Sequence, residues 1–217
     1  MATANFLNNP PRYRSTNNKF EFSVDKANQI LDAAGWKKGG DGIREKGGRK
    51  LKFVYQTSVN ALRQKEQAVI KQACQKAGID LELKQVTAAV FFSSDAGNPD
   101  TAAKFGADMQ MYGVSGGVDP ERGMDAYVSW ELASKANKWQ GRNICRWRSD
   151  ELDRLYRVAE NEMDPVKRAA TYIRMNDLIC NDFAAIPVVY RPSVHGLARN
   201  LQAASSGWDT ALANVAD

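Results

Sequence analysis

Histidine is almost absent from this chain: His195 is the only one in 217 residues. Cysteine is scarce too. Cys74, Cys145 and Cys180 lie far apart and show no CxxC spacing, so the clustered Cys and His ligands of a zinc site are missing. Three is also an odd number. One disulfide could form in an oxidising compartment, but the spacing assigns no pair, and buried free thiols are the expectation. No serine sits in a GxSxG turn, and a lone His195 between two apolar segments reads as structural. The run Gly39-Gly-Asp-Gly42 lacks the GK[ST] continuation of a phosphate loop. No cofactor, metal or nucleotide is implied.

Long apolar runs are lacking as well. Stretches such as Ile186 to Tyr190 fall far short of the ~20 residues that span a bilayer. Met1 is followed by Ala2, Thr3, Ala4 and Asn5, which is not the charged start and apolar core of an export signal. What is present is ordinary for a folded domain: 43% hydrophobic and 25% charged residues, enough for one sizeable core. The net charge of +5 could indicate an anionic partner, but 30 Lys and Arg are dispersed among 25 acids. The densest run, Lys37 to Lys50, is broken by glycines and by Asp41 and Glu45, which suits a solvated hairpin better than a nucleic-acid arm.

The patterning predicts an α/β chain. The first twenty residues, with Pro10, Pro11 and several Asn, read as an irregular lead-in. Ser23 caps a helix whose stripe is Ala27, Ile30, Leu31 and Ala34, ended by Gly35. A glycine-punctuated hairpin, 39–48, carries Ile43. Leu51 to Thr57 and Ile79 to Lys84 alternate as strands around a helix over 61–77, which is expected to bury Leu62, Val69, Ile70 and Ala73. Strand, helix, strand at this spacing is a βαβ unit with parallel strands. Phe91 to Phe105 reads as a short helix plus loop with Phe91 and Phe92 in the core, and 107–112 as a third strand. A helix capped by Ser149 carries Leu152, Leu155, Tyr156 and Ala159. Another opens at Asp164-Pro165 with the stripe Tyr172, Met175, Ile179 and Phe183. Short strands are expected over 186–190 and 194–198. The expected architecture is a mixed sheet flanked by helices, one domain over 1–217.

Several stretches resemble the family 5 extracellular solute-binding proteins. Ser23-Val-Asp-Lys-Ala-Asn-Gln-Ile-Leu-Asp-Ala-Ala-Gly-Trp36 followed by Asp41-Gly-Ile-Arg-Glu-Lys46 is similar to their helix-and-hairpin segment. Gly141-Arg-Asn143 with Ser149-Asp-Glu-Leu-Asp153, then Asp164-Pro-Val-Lys-Arg168, Ile186-Pro-Val-Val-Tyr190 and Ser206-Gly-Trp208-Asp209, follow in the family's order. The resemblance implies one lobe of a two-lobed periplasmic-binding-protein type II fold, cut from a longer receptor whose first lobe and export signal lie elsewhere. It also implies a periplasmic or extracytoplasmic, monomeric, non-enzymatic protein. Such a protein captures a small, peptide-like solute and delivers it to an ABC permease in the membrane, with no role for nucleic acid. A ligand-sensing domain of a transcription regulator is the first alternative. A hydrolase built on Asp119, Glu121 and Asp125 is the second.

Open α/β sheets bind ligands beyond the carboxyl ends of their strands, so the loop after the third strand is the place to look. Tyr112, Ser115, Gly116, Gly117 and Asp119 are candidates there, the glycines serving either close backbone approach or a tight turn. Trp130 and Trp147 offer aromatic walls, as Trp139 could, and Arg142 and Asn143 offer hydrogen bonds to a carboxylate or amide. Core packing is the competing role for the tryptophans, and loop bracing for Arg142 and Asn143. Peptide-binding family members often carry an aspartate four residues before the proline of a D-P pair, where it meets the peptide's α-amino group. Aligned on Asp119-Pro120, that position is Gly116. The resemblance therefore implies a solute without a free-amine anchor: a capped or cyclic peptide, an opine-like compound or a sugar conjugate.

Overall fold

A computed structural model describes residues 1–191 apart from Ala96, Ser115 and Gly116. His195, the strand expected over 194–198 and the stretch 206–209 lie outside the described residues, as do Ser115 and Gly116. Backbone contacts divide the chain into two compact units. One unit is Phe20–Ser115 with Asp125–Asp153; the other is Met1–Lys19, Gly116–Met124 and Arg154–Asp217.

The first of these units is built on the βαβ motif. Strand β4 (Lys52–Ser58) pairs in parallel with β5 (Asp80–Val86), Lys52 opposite Asp80 and Ser58 opposite Val86. On its other edge β4 takes β6 (Met109–Met111), again parallel, with Tyr55 opposite Met109. The crossover helix α2 (Ala61–Lys76) starts at Asn60, whose side chain accepts from the amides of Leu62 and Arg63. Its buried face differs from the expected stripe. Gln67 is fully enclosed and donates from Nε2 to the Tyr55 carbonyl at 2.8 Å, tying helix to strand. Leu62 and Val69 lie five and two residues away, roughly 140° and 200° around the helix, and face solvent. A polar anchor thus overrides hydrophobic periodicity here. Helix α3 (Ala88–Phe91) follows β5, with Phe91 fully buried but Phe92 exposed rather than in the core.

Antiparallel pairing occurs in a separate sheet of three short strands, β1 (Lys37–Lys38), β2 (Arg44–Lys46) and β3 (Arg49–Lys50). The expected mixture of parallel and antiparallel pairing is therefore shared between two sheets. Gly47 and Gly48 join β2 to β3 with φ of 56° and 75°, the positive values that a two-residue hairpin turn demands. Arg44, which sequence reasoning leaves on the solvated hairpin, is 2% exposed. Its guanidinium donates to the carbonyls of Ala77 (2.8 Å) and Trp36 (2.6 Å), to Asn28 Oδ1 (2.7 Å) and to Asp32 (2.6 Å). It thereby links the hairpin to the C-terminus of α2 and to α1 (Val24–Ala33), whose own stripe is largely exposed. Ser23 caps α1 as expected, accepting from the Lys26 amide.

The other unit is organised by α6 (Pro165–Asn181). Asp164 caps it by accepting from the amides of Val166 and Lys167, and Pro165 opens it. Tyr172, Met175 and Ile179 are fully buried, each contributing about 1.5–3 kcal/mol of apolar transfer. Phe183 falls beyond the helix at φ 57° and is exposed, so the stripe ends at Ile179. The irregular lead-in is held to α6 by amides. Asn176 accepts from the Leu7 amide (2.9 Å) and donates to Asn5 Oδ1 (2.9 Å), while Asn5 Nδ2 donates to the Ser15 carbonyl (2.9 Å). Tyr13 meets Tyr172 edge to face at 5.7 Å. Helix α5 (Asp150–Asn161) has its first turn in the βαβ unit and continues into this one; it begins at Ser149, whose hydroxyl accepts from the Leu152 amide, and buries Leu152, Tyr156 and Ala159. The strand expected over 186–190 is reduced to a single bridge, Ala2 to Val189.

Candidate functional site

Parallel strands β5, β4 and β6 end side by side at Val86, Ser58 and Met111. Tyr112 leaves β6 at this edge. Its ring lies 6.2 Å from Phe91 and 6.4 Å from Phe92, and burial pushes its phenol pKa up, so the hydroxyl stays a neutral donor. Thr57 Oγ1 donates to the Met111 carbonyl at 2.6 Å and fixes the start of the loop. Arg63, in the first turn of α2, donates to Ser58 Oγ at 2.5 Å on the same edge. Sequence reasoning missed it; a cation three residues past the helix cap of a βαβ unit is the signal that could have found it. A hollow lined by Lys52, Phe53, Val54, Asp80 and Glu82 lies at the opposite, amino ends of β4 and β5.

A second group of candidates belongs to the same unit. Trp130 is 44% exposed, and Trp147 packs edge to face against Tyr127 at 6.4 Å. Arg142 reaches Asp125 at 2.6 Å. Asn143 is fully buried: Nδ2 donates to the carbonyls of Val128 (3.0 Å) and Trp147 (2.9 Å), and its backbone pairs with Glu131 and Ala133. Bracing the loop occupies this amide. Gly141 is required alongside, because a Cβ there would press on the Glu131 carbonyl and lie 2.7 Å from the Ala133 nitrogen. The thiol of Cys145 donates to Asn143 Oδ1, and burial raises its pKa.

Asp119 sits in the other unit, where short helix α4 (Glu121–Met124) begins just after it. Both its oxygens are taken by Arg168 of α6, at 2.9 and 3.2 Å, and Arg168 also approaches Glu121 at 3.5 Å. Burial works to raise the Asp119 pKa, but the Arg168 hydrogen bonds and the Glu121 amide outweigh it and hold the carboxyl below its ordinary range. The acids Asp119, Glu121 and Asp125 therefore have separate basic partners, Arg168 for the first two and Arg142 for the third. Gly117 is exposed. Among the described residues no group of His, Cys, Asp and Glu could hold a metal ion, and no helix is long and apolar enough to cross a membrane.

Open α/β sheets bind ligands beyond the carboxyl ends of their strands, which is where the loop leaving β6 lies. Residues 2–135 match the family described as bacterial extracellular solute-binding proteins, family 5 Middle. Among curated relatives, the oligopeptide-binding protein AppA of Bacillus subtilis is 27% identical over 187 residues, which is 85% of this chain and 32% of AppA. The oligopeptide-binding protein of Thermus thermophilus, solved with a pentapeptide, superposes with a TM-score of 0.76 at 24% identity, over 88% of this chain and 33% of that one. NikZ of Campylobacter jejuni, solved in complex with Ni(L-His), gives a TM-score of 0.64 at 22% identity, over 79% and 33%. These likenesses define the class: a segment of the periplasmic-binding-protein type II fold, in mixed α/β form.

The chain belongs to the bacterial extracellular solute-binding proteins, family 5. It spans about a third of the length of the relatives it matches. The family is one of solute-binding proteins rather than enzymes.

Proposed function

We propose that this chain supplies part of the solute-binding surface of an extracytoplasmic receptor that delivers a peptide-like solute to an ABC permease. The match to family 5 over residues 2–135 carries this reading, because that stretch contains the parallel sheet and the loop leaving β6. Tyr112, with Ser115, Gly116 and Gly117 after it, meets the solute through backbone amides and an aromatic edge. Trp130, Arg142 and Trp147 add apolar walls and a cation, while Asp119 and Asn143 hold their loops in shape. The solute is small, the receptor is a monomer, and the second wall of the binding cleft comes from the rest of the longer protein. No acid stands at Gly116 to take a free α-amine, so peptides with blocked amino ends are the favoured class.

A thermal-shift screen of the full-length receptor against acetylated, cyclic and free-amine peptides tests the assignment. Stabilisation by the blocked or cyclic peptides is expected. Preferential stabilisation by free-amine dipeptides would contradict the reading of Gly116, and no stabilisation by any peptide would contradict the solute class.

A further inference from the structure

Between Glu131 and Asp150 the chain carries five cations and no acid: Lys135, Lys138, Arg142, Arg146 and Arg148. Arg142 is paired with Asp125. Arg146 is instead placed against an aromatic ring, its guanidinium carbon 5.1 Å from the Trp139 centroid. Lys104, from a distant part of the same unit, brings its ammonium to 4.6 Å from that centroid. Two positive charges thus converge on one indole, and neither has a carboxylate partner within ion-pair distance among the described residues.

The guanidinium is locked in place. Nε donates to the Ala133 carbonyl at 3.0 Å, and Nη2 donates to the carbonyls of Lys104 (2.6 Å) and Ala103 (3.4 Å). These bonds orient Arg146 and leave its Nη1 donors outside that set. The backbone is bent to the same end. Phe105, Lys138, Trp139 and Arg146 all have positive φ, 43°, 54°, 64° and 59°, in the left-handed region that side chains with a Cβ disfavour. Among the described residues, four of the five non-glycine positions in that region are therefore in or next to this one cluster. A disfavoured backbone opposes the arrangement, and strain of this kind gathers where a ligand is held. Attraction to the indole ring holds both cations at it.

We propose that Lys104 and Arg146, flanking Trp139, receive a carboxylate of the solute. This deepens the peptide-like reading above and rests on it: the receptor would hold such a solute by its acidic group rather than by an amine. A carboxylate placed at the ring's rim accepts from the Lys104 ammonium and from Arg146 Nη1 and supplies the negative charge that both lack.

The test is a titration of the 217-residue chain, following the Trp139 indole N–H by NMR, with the signal assigned through Trp139→Phe. The probes are N-acetylglycine and its uncharged amide, N-acetylglycinamide, at constant ionic strength. Saturable movement with N-acetylglycine is expected, with apparent affinity about tenfold weaker for the amide and for N-acetylglycine with Lys104→Met. Lys104→Met keeps the aliphatic stem and removes only the charge, so the fold is retained. Equal movement with acid and amide, or none with either, overturns the proposal. If N-acetylglycine moves Trp139 while no peptide stabilises the full receptor, the anion site stands and the peptide-receptor reading falls. If peptides stabilise the receptor equally as acids and as amides, the receptor reading stands and this site falls.

Discussion

Arg168 grips Asp119 with both terminal nitrogens, Nη1 on Oδ2 at 2.9 Å and Nη2 on Oδ1 at 3.2 Å. The same side chain donates from Nε to the Ala159 carbonyl and from Nη2 to the Tyr172 hydroxyl, so one guanidinium joins α5, α6 and the turn before Pro120. Only a planar fork can serve all these partners at once.

Arg168→Lys keeps the charge but loses the fork. Because Asp119 is more than half exposed, solvent screens the pair, and a loss of about 1–2 kcal/mol is expected in urea unfolding. The pH dependence has a definite sign. The folded carboxyl titrates below its unfolded value, so its contribution is fully present above about pH 4 and is lost as pH falls through the folded pKa. Wild type and Arg168→Lys should therefore converge in stability on acidification below about pH 4. A difference that grows over that acidic range would contradict the role given to this pair.

Arg44 is the buried hub of the hairpin. Arg44→Met strands the Ala77 and Trp36 carbonyls and Asn28 Oδ1, while the exposed Asp32 can return to water. A destabilisation of about 2–4 kcal/mol is expected by chemical denaturation. Gly78→Ala should damage the same spot, since its φ is +83° and a Cβ would lie 2.7 Å from Arg44 Cγ. The double variant should lose less than the sum of the two, because a methionine freed from those hydrogen bonds can turn its Cγ away from the added Cβ.

Asn176→Ala removes the acceptor for the Leu7 amide and a donor to Asn5, leaving buried polar groups unmatched. The expected cost is about 2–3 kcal/mol. Hydrogen exchange should show the Leu7 amide losing protection in the variant, whereas the amides of β4 stay protected.

The three cysteines are free thiols, Cys180 buried and the other two half-buried. Burial pushes the Cys180 thiol up to about 11, which keeps it protonated and unreactive near neutrality. A thiol reagent should label all three cysteines after unfolding and spare Cys180 in the native chain. Rapid native labelling of Cys180 would contradict its burial.

Local signals are legible in the sequence wherever one short segment sets its own geometry. Ser23, Ser149 and Asp164 cap the helices they are expected to cap, and the βαβ unit follows from two alternating strands around one helix. What the sequence hides depends on tertiary partners. Arg44 and Gln67 are polar residues that periodicity assigns to solvent, yet each is buried by carbonyls that only the folded chain brings within reach. The lead-in reads as irregular because asparagine side chains, not strand or helix ladders, tie it down. In the candidate site, Tyr112 and the Gly117 loop are visible from strand order and glycine content. The shared ring of Trp139 is not, since Lys104 and Arg146 are far from each other in sequence and meet only through left-handed turns.

The central claim is that the loop leaving β6 meets a peptide-like solute that has no free-amine anchor. Its most direct test is an amide chemical-shift titration of the 217-residue chain with an N-acetylated tripeptide and its free-amine counterpart. The proposed receptor completes its cleft outside this chain, so weak binding by the chain alone is expected, on the order of millimolar. The account requires the largest shifts at Tyr112, Gly113 and Gly117, with the acetylated peptide at least equal to the free amine. Shifts confined to other surfaces, or a clear preference for the free amine, would contradict it.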